Sequence, residues 1–214
     1  MPQIYHSTLI KPIYDKVKSM ILNNELKPGQ KIIQEKIASE LGVSRTPLNK
    51  ALQMLEFEML LESIPRKGIY VKKISLDEML DVFDCREGIE AVAARLVTLK
   101  NDPSIALKLK KIFEPFIGEK EIRPAPYRSA DMKFHIELIN LADNQYLSRI
   151  YFFDNLSSRI IQMGLVRPPE ETLNEHLNII EAIRKSDPEL AAREALMHIR
   201  KSRDLIAANL NKES

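Results

Sequence analysis

The chain has 214 residues, 44% of them hydrophobic and 29% charged, with a single cysteine and no tryptophan. That length suits two modest domains, each burying its own core, and the lone thiol excludes an internal disulfide or a cysteine-rich zinc module. The formal charge of +2 hides an asymmetry: 12 basic residues stand against 7 acidic ones up to Lys73, and 20 against 23 after it, the division expected of a nucleic-acid reader joined to a regulatory partner.

No apolar run approaches the ~20 residues needed to span a bilayer, and no basic stretch followed by an apolar segment opens the chain. A reduced, cytoplasmic protein that does not enter a membrane is expected. Ile13, Val17, Met20 and Ile21 lie on one helical face, and a loop with Pro28-Gly29 follows. From Gln34, the residues Ile37, Ala38 and Leu41 form a second short stripe that Gly42 ends as a C-terminal glycine.

A third helix begins at Ser44-Arg45-Thr46-Pro47, where Ser44 or Thr46 can cap and Pro47 sits in the first turn without losing a needed donor. Leu48, Ala51, Leu52 and Leu55 face inward. Helix, glycine turn and helix make a helix-turn-helix, which places Ser44, Arg45, Thr46, Asn49 and Lys50 where they would meet the major groove. Two β-prone runs, Leu61 to Ile64 and Ile69 to Val71, then flank Pro65-Arg66-Lys67-Gly68. This is a wing, with Arg66 and Lys67 suited to phosphate or minor-groove contact and Gly68 allowing close backbone approach.

Pro28-Gly29, Leu41-Gly42-Val43-Ser44-Arg45-Thr46-Pro47, Ala51-Leu52 and the Lys67-Gly68 wing together resemble the GntR superfamily of regulators over about residues 10 to 73. The resemblance implies operator binding as a two-fold homodimer. Members commonly carry arginine where Asn49 stands; asparagine pairs bidentately with adenine, which shifts the preferred half-site.

Beyond the wing, Ser75 and Glu78 are spaced as a capping box, and the helix they open carries Leu80, Phe83, Ile89, Val92, Ala93 and Leu96. Further helical periodicity covers about 104 to 117, 127 to 141, 145 to 164, 170 to 185 and 188 to 210, with breaks at Pro124-Pro126, Asp143-Asn144, Arg167-Pro168-Pro169 and Asp187-Pro188. The expected fold is mainly α: a winged helix-turn-helix over residues 1–74, then an all-α six-helix bundle over 75–214 for effector binding and dimerisation.

Three of the four histidines fall on apolar helix faces: His135 near Leu138 and Ile139, His176 near Leu173 and Ile180, His198 near Ala195 and Ile199. Asp131 lies one turn before His135 on the same face. Taken singly, each is most simply a core imidazole bonded to a neighbour. Together, three imidazoles and a carboxylate suit a divalent ion such as zinc or nickel and leave positions open to water or ligand.

Asp131 to His135, Asn144, His176 with Ile180 and Ile183, and His198 resemble the FCD effector domain of the GntR superfamily over about residues 77 to 210, in its shorter VanR-type arrangement. That resemblance implies a metal held by Asp131, His135, His176 and His198, and an arginine, Arg86, directed at the effector; as a residue of the long helix, Arg86 reads equally well as a solvated or salt-bridged side chain. An ion with one carboxylate keeps a charge of about +1, so a small carboxylate metabolite is the expected effector. The protein is therefore read as a ligand-responsive repressor, not an enzyme. A metal-dependent hydrolase, with Glu137 or Glu175 as general base, and a metal-only sensor are the competing readings of the same residues.

Overall fold

The computed structural model describes residues 7–153 and 165–213. The chain divides into two compact units, Met1–Lys73 and Ile74–Ser214.

In the first unit, α1 (Ser7–Leu22), α2 (Gln34–Leu41) and α3 (Arg45–Phe57) pack around Val17, Leu48, Ala51, Leu52 and Leu55, all fully buried. Gly42 ends α2 at φ +64°. Its N–H reaches the Ser39 carbonyl while Val43 reaches that of Ala38, the Schellman arrangement that turns the chain sharply into α3. Ser44 is the N-cap of α3 by backbone conformation but makes no side-chain capping bond, so its hydroxyl is not committed to the helix.

Strands β1 (Leu61–Ile64) and β2 (Gly68–Val71) pair antiparallel, Leu61 opposite Val71 and Ile64 opposite Gly68. The far edge of β2 is met by residues 29–32: the Gly29 N–H bonds the Val71 carbonyl, and the Ile32 N–H bonds that of Ile69. Gly29 has φ +79°, and a Cβ there would stand 2.4 Å from Lys73 Cε. The wing thus has the outer edge of β2 engaged near its base and an exposed tip.

Among its described residues the second unit has helices as its only regular elements. Helix α4 (Leu76–Leu99) is capped by Ser75, whose Oγ accepts the Glu78 N–H at 3.1 Å. It is followed by α5 (Pro103–Phe113), a 3-10 turn (Glu114–Phe116), α6 (Pro124–Leu141), α7 (Gln145–Phe153), α8 (Pro169–Arg184) and α9 (Pro188–Glu213). The remainder of the helix expected over 145 to 164 lies outside the described residues.

Helices α5, α6, α8 and α9 each start on a proline at the first or second position. Pro124 and Pro126, expected as a break, lie inside the first turn of α6, where a missing N–H costs nothing. Helix α4 packs along α9 and against α6, and α8 lies between α5 and α9. Three positions of α4 depart from the expected apolar pattern: Val92 is 46% exposed while Arg86 and Glu90 are buried. A charged pair occupies core-facing positions of α4, and it marks the site.

Candidate functional site

On the first unit, Pro47, Leu48, Ala51, Leu52 and Leu55 are buried, so the opposite face of α3 and its N-terminal turn are left to solvent. Ser44, Arg45, Thr46, Asn49 and Lys50 are all exposed there. Arg66, Lys67 and Gly68 are exposed at the wing tip. The Lys67 N–H bonds the Ile64 carbonyl at 3.0 Å across Pro65-Arg66. Arg66 holds φ +63°, the left-handed third position of a type II turn that usually falls to glycine. Keeping a long cation there costs about 1–2 kcal/mol of backbone energy.

In the second unit the metal-capable groups converge from three helices. Asp131 and His135 come from α6, His176 from α8 and His198 from α9, and their ligand atoms all lie within 4.8 Å of one another. His135 Nε2 stands 3.4 Å from both His176 Nε2 and His198 Nε2. Asp131 Oδ1 is 3.5 Å from His176 Nε2 and 3.9 Å from His135 Nε2. The three imidazoles are 0–4% exposed.

The outer nitrogens decide what the inner ones are. His135 Nδ1 faces Glu90 Oε2 at 2.5 Å, and His198 Nδ1 faces Glu175 Oε2 at 2.8 Å. Carboxylates accept, so both rings carry their proton on Nδ1. His176 Nδ1 faces the Tyr127 hydroxyl at 3.1 Å, which is 2.9 Å from Thr172 Oγ1; the latter reaches the Pro168 carbonyl at 3.3 Å. This chain closes when Nδ1–H donates to Tyr127, Tyr127 to Thr172, and Thr172 to the carbonyl.

All three Nε2 atoms then present lone pairs to each other and to a carboxylate oxygen, with no proton between them. Buried acceptors left facing one another are costly, and a cation is what satisfies them. Ligand atoms ~2.0–2.1 Å from a common centre stand about 3.4 Å apart in a tetrahedron, so the spacing fits as well as the chemistry. Burial, augmented by the neighbouring rings, holds His176 well below its ordinary pKa. Burial also lowers His198, with Glu175 pulling the other way. Neutral imidazoles are the form that binds a metal.

The supporting carboxylates are themselves anchored. Burial would raise Glu90, but Arg86 and His135 outweigh it and hold it at about 2. The Arg86 Nε–H donates to Glu90 Oε1 at 2.7 Å, and its guanidinium lies 4.8 Å from the Phe83 ring centre. Glu175 receives both Nη groups of Arg167 and Lys201 Nζ besides His198. Its carboxyl sits below the usual range: burial opposes, but His198, Arg167 and Lys201 prevail.

A cavity of about 30 Å3 opens on the cluster, with Arg86, Asp131, His135, Arg167 and His198 in its wall. Arg167 is fully engaged there, its Nε–H on Ser202 and one Nη also on the His198 carbonyl. Arg86 is different: among the described residues neither of its Nη groups has a hydrogen-bond partner, although the residue is 4% exposed.

The sequence-predicted ligands are thus brought together, and Arg86 stands in the same wall. Glu137, weighed as a base, pairs with Lys108 at 2.5 Å instead. Sequence reasoning missed Glu90, Tyr127 and Arg167. The signal was present for two of them: Tyr127, Asp131 and His135 share one face at intervals of four, and Arg86 and Glu90 fall in phase with Phe83, Ala93 and Val97.

Residues 9–71 match the family described as bacterial regulatory proteins, gntR family, and residues 81–201 match the FCD domain. The chain is 28% identical over 192 residues to the HTH-type transcriptional regulator YdhC of Bacillus subtilis, covering 86% of this chain and 85% of the relative. It is 26% identical to the HTH-type transcriptional repressor RspR of Escherichia coli, covering 87% and 84%. A GntR regulator from Rhodococcus sp. RHA1 has the same fold, with a TM-score of 0.75 at 17% identity over 94% of this chain and 98% of the other. E. coli McbR/YncC superposes at 0.70 with 16% identity over the same shares.

Proposed function

Because this chain belongs to the GntR family of bacterial transcriptional regulators that carry an FCD domain, we propose that it is a homodimeric cytoplasmic repressor whose second domain holds a divalent ion and is switched by a small carboxylate. Residues 1–74 bind operator DNA and residues 75–214 hold the effector. Ser44, Arg45, Thr46, Asn49 and Lys50 enter the major groove, and Arg66, Lys67 and Gly68 follow the adjacent backbone or minor groove. Repression is supported by the relative named a repressor.

The observation that carries the effector reading is the buried Arg86 guanidinium, with both Nη groups unpartnered among the described residues, in the wall of a cavity that also meets Asp131, His135 and His198. Asp131 and His135 of α6, His176 of α8 and His198 of α9 would hold zinc or nickel, which would supply positive charge and open coordination positions. A cavity of about 30 Å3 admits an object of one or two waters' size. One carboxylate group, set against Arg86, is therefore what the chain's own residues recognise.

The same small volume favours, as a second reading, a sensor in which the metal alone is the signal. No enzymatic role follows, since the family consists of regulators and Glu175 is held by Arg167, Lys201 and His198.

The link to DNA runs through chain connectivity. Only residues 72–75 separate β2 from α4, so a shift of α4 on ligand binding would reach the wing and alter the spacing of two reading heads, whose half-sites lie ~34 Å apart on DNA. The test is metal analysis of the natively purified protein, mass spectrometry of any co-purified acid, and operator binding with and without chelator. Stoichiometric metal and release of DNA by a carboxylate support the proposal. Release by metal alone supports the second reading, and indifference to divalent ions sinks both.

A further inference from the structure

The reading arginine of α3 is not free. Arg45 Nη2 donates to Glu35 Oε1 at 2.5 Å, although the two residues are ten apart and their side chains are 65% and 72% exposed. Glu35 stands in the first turn of α2, and the Arg45 side chain reaches back to it from the start of α3, across the Gly42-Val43 turn. Among the described residues, none of the other cations assigned to DNA, Lys50, Arg66 or Lys67, has a carboxylate partner. An acidic side chain beside a residue that approaches a phosphate chain repels the ligand, while an exposed pair contributes little to folding. Stability does not account for its place.

We infer that Glu35 is a specificity-determining residue that braces the Arg45 guanidinium for a base edge and penalises its use on phosphate. With one Nη2 hydrogen on Glu35, Arg45 is restrained in rotation and still has its remaining N–H groups to offer as a bidentate fork to guanine O6 and N7. When the site is wrong, Arg45 swings to the phosphates and leaves Glu35 facing them alone. The correct site keeps the carboxylate neutralised. Glu35 therefore lowers non-specific affinity more than specific affinity, so discrimination rises while total binding falls. This inference rests on the reading of α3 as the DNA-reading helix.

The experiment uses the full chain as purified. Duplexes are selected from a randomised pool by the wild-type protein, and binding to the selected site and to random duplex is then measured at several salt concentrations. Glu35→Gln, Arg45→Ala and the double variant are compared. Glu35→Gln is expected to tighten binding to random duplex and to lower the ratio of selected to random affinity by about tenfold. In the Arg45→Ala background the same change should leave the ratio unaltered. A ratio unchanged by Glu35→Gln, or lowered equally in both backgrounds, overturns the inference. Wild-type protein that selects no duplex overturns the DNA-reading assignment itself, a separate outcome.

Discussion

Glu90→Gln isolates the buried support of the Asp131–histidine cluster. Glu90 and Arg86 are 1% and 4% exposed, and Glu90 is the one hydrogen-bond acceptor that Arg86 has among the described residues. The substitution preserves size and a carbonyl that can accept one N–H, but removes the charge. Arg86 then remains a desolvated cation without a counter-ion. Breaking a buried pair from one side costs about 3–5 kcal/mol, and one retained hydrogen bond returns about 1, so a net loss of about 2–4 kcal/mol is expected. Replacing both partners, Arg86→Met with Glu90→Gln, removes the stranded charge and should recover most of that loss. Urea denaturation of the chelated protein, with hydrogen exchange reporting on α4 and α6, measures both. A single variant that loses less than about 1 kcal/mol, or a double variant no more stable than the single, would refute the assignment of Arg86 and Glu90 as a coupled buried pair.

Three further outcomes follow from the geometry. Arg66→Gly relieves the left-handed backbone of the wing turn while loosening the unfolded chain, so stability should stay within about 1 kcal/mol, yet the salt slope of DNA binding should fall by about one unit. An unchanged slope in a gel-shift series removes Arg66 from the interface. Tyr127→Phe keeps the ring and strands His176 Nδ1; zinc affinity, read by competition with a chromophoric chelator, should weaken by about 10–100-fold, and equal affinity argues against the proton chain drawn here. In chelated protein, the lowered pKa values of His176 and His198 mean that the unfolded chain takes up protons first. Their stabilising effect is complete above about pH 6.5 and fades as the pH falls below it, by up to about 1.4 kcal/mol per pH unit for each ring. Glu90, held at about 2, contributes its own loss only below the ordinary carboxylate range, so a urea midpoint that stays flat between pH 6.5 and 5 contradicts neutral burial of the imidazoles.

The winged helix was legible almost residue by residue because each of its signals is local. Gly42 at a left-handed position, Pro47 in a first turn and Pro65 before a basic tip act within four or five residues, and the strands fall at Leu61–Ile64 and Gly68–Val71. The helices of the second unit were legible as elements, with their starts displaced by prolines that begin helices as readily as they end them. Pairing between distant side chains carried no local mark. The bond between Arg45 and Glu35 crosses a turn, and that between Arg167 and Glu175 links a segment before α8 to its middle.

The metal-capable groups and their supports differ in how each contrasts with its surroundings. His135, His176 and His198 are conspicuous as lone polar side chains on apolar faces, whereas Arg86 and Glu90, four residues apart on a helix, look like an ordinary surface pair. Their phase with Phe83, Ala93 and Val97 is what separates them from one. That phase matters chemically as well as for prediction: a carboxylate inside the bundle accepts the His135 Nδ1–H and so turns Nε2 inward, and the adjacent buried Arg86 helps to keep that carboxylate ionised. The site's charge balance thus depends on Glu90, behind His135, as well as on Arg86 in the cavity wall. An anion that engaged the Nη groups of Arg86, which have no hydrogen-bond partner among the described residues, would act on His135 through Glu90, without needing to touch it.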